Sequence, residues 1–137
     1  MNMSKELKRC LWVKEGDVLM EEYHDKEWGT PLHGDNKTFE FLVLESFQAG
    51  LSWRTILNKR KNFEKAFAKF NPAKVAKFSH QDIRRLLHDA GIIRNRAKIG
   101  AAVNNAQRFL EIISSGQRRI AAREKIRPFF TILKTAG

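Results

Sequence analysis

Residues 86–100 read LLHDAGIIRNRAKIG, and two features of this stretch decide the fold. Apolar residues recur at helical steps on both sides of Gly91, and the break between the two runs is short. A helix, a tight glycine turn and a second helix opening in Arg94-Asn95-Arg96-Ala97-Lys98 make a helix-hairpin-helix layout. Gly91 stands where a helix C-terminus favours a residue of positive φ. Upstream, Ser79 with Asp82 three residues on carries the capping signature of the first helix, whose Ile83, Leu86 and Leu87 face inward. Downstream, Ile99, Val103, Ala106, Leu110 and Ile113 form one face of a long helix that Gly116 ends.

The same periodicity extends toward the N-terminus. Asp35 or Asn36 can cap a helix carrying Phe39, Leu42, Val43 and Phe47, and Gly50 ends it. Ser52 can cap the next, in which Ile56 and Leu57 precede a basic run, Lys59-Arg60-Lys61. Phe63, Phe67 and Phe70 prolong the apolar stripe to Asn71-Pro72, a cap followed by proline at the first helical position. Irregular structure is expected over the first thirty residues. The reading is an all-α domain of about five or six helices over residues 1–115, followed by a divergent basic tail at 116–137. From Ser114 onward there are six basic residues and one acidic, with few apolar anchors before Phe129-Phe130.

Composition fits one domain with a real core: 42% of the 137 residues are hydrophobic, with ten Phe and three Trp. That excludes compositional disorder. No apolar run reaches the ~18–20 residues of a membrane span, and the basic start MNMSKELKRCLW lacks the apolar stretch of a signal peptide. A cytoplasmic monomer without membrane contact is expected. One cysteine excludes an internal disulfide framework. The net charge of +11 attracts polyanions, of which nucleic acid is the commonest.

Three groups of residues can carry chemistry. In the hairpin, free N–H groups and the basic side chains suit phosphate binding without sequence readout, although an ordinary αα turn with a solvated basic face has the same composition. Near the N-terminus, Cys10, Trp12, Tyr23, His24 and Trp28 make an aromatic strap, and one Cys with one His is half a zinc site at most. On the residues alone the strap reads as packing. The third is Glu45, in FEFLVLESFQAGLSW among residues that look buried. A carboxylate there needs a partner or a task, unless it snorkels from the helix edge. Trp53 follows just past the glycine break, where it could stand at a pocket mouth.

Taken together, Cys10-x-Trp12, YHDKEWG (residues 23–29), LE-x-x-QAGLSW (44–53) and DAGIIRNRAKI (89–99) resemble the type I DNA-3-methyladenine glycosylases. The likeness runs from about residue 9 to about residue 113. It implies an all-α, helix-hairpin-helix glycosylase domain that acts on double-stranded alkylated DNA in base-excision repair. The implied reaction is monofunctional hydrolysis of the N-glycosidic bond of flipped-out 3-methyladenine. By resemblance Glu45 contacts the excised base, while Trp12, Tyr23 and Trp53 line or adjoin its pocket. Gly91, Arg94, Arg96 and Lys98 would bind the DNA backbone. Cys10 and His24 would be half of a structural zinc site whose other ligands, a His and a Cys, lie in the family's C-terminal segment. This sequence has no second cysteine and no histidine after His88. The expectation is therefore a domain lacking that segment, with two of four zinc ligands. The alternative is a catalytically inactive member that only binds DNA non-specifically.

Overall fold

The computed structural model describes residues 8–115; the basic tail at 116–137, with the helix stop at Gly116, lies outside them. Regular structure among the described residues is entirely helical: α1 (Val18–Lys26), α2 (Asp35–Gln48), α3 (Trp53–Asn58), α4 (Arg60–Ala66), α5 (Pro72–Val75), α6 (His80–Leu87) and α7 (Arg96–Ser114). The all-α expectation holds. The chain divides into two compact units between Pro31 and Leu32.

The first unit contains α1, where irregular structure was expected. Asp17 caps it by accepting a hydrogen bond from the Met20 amide at 3.4 Å. Met20 and Tyr23 are its buried residues. Two inward positions in nine residues are too few to register as a helical period, which is why the sequence pattern passes over it.

In the second unit the caps follow local chemistry. Ser52 accepts from the Thr55 amide at 3.1 Å, and Asn71 from Ala73 and Lys74 at 3.0 and 3.3 Å, with Pro72 at the first helical position. Ser79 and Asp82 complete both halves of the capping box that opens α6. One cap differs. Gly34, at φ +86°, precedes α2, so Asp35 is the first helical residue and not the cap. Its carboxylate then meets the positive end of the helix. The expected single run from Ser52 to Phe70 is broken at Lys59 and again at Ala68-Lys69-Phe70, all three left-handed at φ 51°, 55° and 59°. That conformation costs about 1 kcal/mol per non-glycine residue. Burying the Phe70 ring, 3% exposed, offsets it.

The core of this unit is built on phenylalanine. Phe39, Phe47, Phe63 and Phe67 are fully buried, with Phe47 4.8 Å from Phe63 and 5.7 Å from Phe67 between ring centroids. Helix α7 closes the core with Ile99, Ala102, Val103, Ala106 and Phe109, so its inner face turns toward Phe109 where the spacing had favoured Leu110. Gly91 is another correction. Its φ is not positive; instead a Cβ there would stand 3.0 Å from the Asn62 side chain. A side chain at this position would press on Asn62 of α4; no left-handed turn is there to favour glycine.

Candidate functional site

Glu45 lies on the last turns of α2 and is half-buried. Phe41, four residues earlier, shares its helix face. Trp53 is the first residue of α3, delivered there by the left-handed Gly50 (φ +81°) and the Ser52 cap. Its ring stacks on Phe41 with centroids 6.4 Å apart and planes 26° apart. The α2–α3 corner therefore places a carboxylate and an aromatic stack on one side.

Behind the stack is a charge network that sequence reasoning missed. Glu40, 6% exposed, accepts a bidentate pair of hydrogen bonds from Arg60, both at 3.0 Å, and Lys37 stands at 2.9 Å. Burial alone would raise the Glu40 pKa, but hydrogen bonds from Arg60 and Lys37 outweigh it and hold the carboxyl below its ordinary range. Both cations also cover the Phe41 ring, Arg60 at 5.2 Å and Lys37 at 5.7 Å from its centroid. Lys37 three residues before Glu40 was the visible signal. Arg60 lies twenty residues away, beyond any local spacing.

Residues 88–95 join α6 to α7. Arg94 and Arg96 are exposed, and Asn95 caps α7 by accepting from the Lys98 amide at 3.0 Å. The Gly91 amide donates to Asp89 at 2.8 Å. Lys98 behaves differently from the two arginines. Its ammonium donates to the carbonyls of Phe47 (2.9 Å) and Ala49 (2.6 Å), and its burial lowers its pKa.

In the first unit, Cys10 Sγ and His24 Nε2 stand 3.3 Å apart. His24 Nδ1 lies 3.0 Å from Asp25, and the Cys10 backbone amide donates to Nε2 at 3.3 Å, so the ring is oriented with Nδ1 toward the carboxylate. Arg9 binds Asp25 at 2.7 Å and Glu21 at 2.9 Å. The Arg9 hydrogen bond, then that of His24, pulls the Asp25 carboxyl down to about 2. Trp12 lies 5.4 Å from His24, 5.5 Å from Trp28 and 6.4 Å from Tyr23 between centroids. Tyr23 and His24 project from α1 and not from a loop. Among the described residues no three His, Cys, Asp or Glu side chains gather into a metal-holding group.

The family model for methyladenine glycosylase matches residues 12–122. The chain belongs to the methyladenine glycosylase family. Among its relatives is the DNA-3-methyladenine glycosylase 1 of Escherichia coli (strain K12), 47% identical over 111 residues that cover 81% of this chain and 59% of that protein. A crystal structure of a 3-methyladenine DNA glycosylase I aligns with a TM-score of 0.76 at 45% identity, covering 80% of this chain and 59% of that one. Another solved 3-methyladenine DNA glycosylase I, in complex with 3-methyladenine, aligns at 0.71 and 44% identity, covering 73% of this chain and 54% of that one. These alignments give this family member the fold of a methyladenine glycosylase. It spans 59% and 58% of the length of the curated relatives it matches.

Proposed function

We propose that this protein hydrolyses the N-glycosidic bond of 3-methyladenine extruded from alkylated duplex DNA. The observation that carries the reading is Glu45, half-buried on the face of α2 where Trp53 stacks on Phe41. A base inside a duplex must leave the stack before its glycosidic bond is reachable, and a damaged base costs least to extrude. Methylation at N3 makes the nucleoside cationic. A carboxylate beside aromatic faces then favours it over neutral adenine by Coulomb and cation–π attraction.

The charged purine is already a good leaving group. As the bond from C1′ breaks, its electron pair neutralises the base, and a water oxygen bonds to C1′ and gives up a proton. Free 3-methyladenine and an abasic sugar result. Glu45 would favour the positive charge of the bound base, and the oxocarbenium character that develops on the sugar. No lysine adduct is needed.

The exposed Arg94 and Arg96, with the open amides at the start of α7, are assigned to the DNA backbone around Gly91 as a helix-hairpin-helix element. For Trp12 and Tyr23 the assignment to the base rests on the resemblance. No helix among the described residues is long and apolar enough to cross a membrane.

Zinc is proposed as a structural ion. Two corners of a tetrahedral sulfur–nitrogen zinc site are about 3.6 Å apart, and Cys10 Sγ and His24 Nε2 stand at 3.3 Å. Asp25 on the far ring nitrogen is the usual outer partner. The pair fits half of a site, and zinc enters no step of the hydrolysis.

The test is release of free 3-methyladenine from methylated duplex DNA, with Glu45→Gln beside the unaltered chain. Release that falls about 100-fold in the variant supports the reading. No release, with salt-sensitive DNA binding intact, leaves the non-catalytic DNA-binding member as the function.

A further inference from the structure

Lys98 is the third residue of α7, in the first turn of a helix where positive charge is unfavourable. Beside two basic neighbours in a hairpin, it reads from sequence as one more phosphate ligand. Its ammonium is instead committed elsewhere. It donates at 2.9 and 2.6 Å to the carbonyls of Phe47 and Ala49, the one in the final turn of α2 and the other at its C-cap. The last carbonyls of a helix have no partner within it, and α2 has no basic residue of its own in the last turn. The Leu51 amide bonds the intervening carbonyl, that of Gln48, at 2.6 Å. Lys98 thus sits at the negative end of α2, where that helix's dipole and two charge-assisted hydrogen bonds hold it against the unfavourable positive start of α7.

The anchored carbonyls are significant for where they lie. Ala49 is four residues after Glu45 and four before Trp53, and left-handed Gly50 between them is the pivot of the corner. We propose that Lys98 is a positioning residue: it locks the α2–α3 corner carrying Glu45 and Trp53 onto the hairpin helix, and it is not a ligand of DNA phosphate. The backbone-binding element and the base-contacting corner are then coupled through one side chain. Only the effect on excision rests on the function proposed above. The lock itself is a property of the free protein.

The experiment compares the full chain with Lys98→Met and Arg94→Met. Its readouts are the amide exchange of Leu51 without DNA, the salt dependence of binding to an unmodified duplex, and excision of 3-methyladenine. In Lys98→Met, Leu51 exchange should rise about tenfold or more through loss of the two hydrogen bonds. Its salt slope should match the unaltered chain, whereas Arg94→Met lowers it by about 1. The excision kcat should fall about tenfold with KM little changed, as misplacement of a reacting group predicts. A salt slope lowered by about 1 in Lys98→Met, with Leu51 exchange unchanged, overturns the proposal. If Lys98→Met does not fold, Lys98→Gln, which keeps a donor without the charge, carries the same readouts. Should the unaltered chain neither bind nor excise, the functional reading fails, while Leu51 exchange still decides the lock.

Discussion

Between Arg9 and Pro31 the chain buries Met20 and Tyr23 and otherwise holds itself by contacts open to water: Arg9 with Asp25 and Glu21, Cys10 with His24, Trp12 with Trp28. From Leu32 onward the contacts are of another kind. Fully buried phenylalanines interlock, and Glu40, the most buried carboxylate among the described residues, has a bidentate arginine and a lysine on it. Apolar burial stabilises whether or not anything else is bound, whereas exposed ion pairs contribute little one by one. The first unit is therefore the part of the molecule with most to gain from a bound ion, and the second has little need of one.

The comparison can be broken most severely at the centre of the second unit. Phe47→Ala removes a ring that touches both Phe63 and Phe67 and should cost about 4 kcal/mol, read as a shift in the urea midpoint. A loss below about 1 kcal/mol would mean that the phenylalanine cluster is not what holds this unit.

Arg60→Met comes next, at about 2 kcal/mol, because it removes the bidentate partner and leaves the buried Glu40 carboxylate with Lys37 alone. It also has a pH signature. The Glu40 pKa is lowered in the fold, so its contribution is fully present above the unfolded carboxylate value and is lost as pH falls through the lowered one. Without Arg60 the carboxyl should protonate at higher pH, and acid unfolding should begin earlier on the way down. Chemical unfolding at a series of pH values reads this directly; identical acid limbs in the two proteins would remove Glu40 from the account.

The smallest effect sharpens the other side. Cys10→Ser should leave the unfolding midpoint of the second unit within about 0.5 kcal/mol. It should also abolish any protection that added zinc gives the Met20 and Tyr23 amides. Unchanged zinc protection in this variant would put the ion elsewhere.

What the sequence revealed depended on how far apart the interacting groups lie. Ser52, Asn71 and Ser79 were readable as caps because the amides they satisfy are two or three residues away. The lysine lock was not, since Lys98 and the carbonyls of Phe47 and Ala49 are separated by 51 and 49 residues. The Glu40–Arg60 pair, twenty residues apart, is hidden for the same reason, whereas Glu45 shows by its place among apolar neighbours. At Gly91 the sequence pointed to a positive φ, whereas the structure has no left-handed turn there and sets the Asn62 side chain against the position. Short-range chemistry shows in the order of residues. Which helix end faces which side chain appears only once the chain is packed.

The three tryptophans happen to divide along the same line. Trp12 and Trp28, 43% and 44% exposed, stand edge to face in the first unit, while Trp53 is partly buried against Phe41 in the second. The protein therefore carries its own optical labels. Red-shifted emission that iodide quenches belongs to the water-facing pair, and bluer, shielded emission belongs to Trp53. In a Trp53→Phe variant the remaining fluorescence would come from the first unit alone, so its melting and its response to zinc could be followed without attaching a dye.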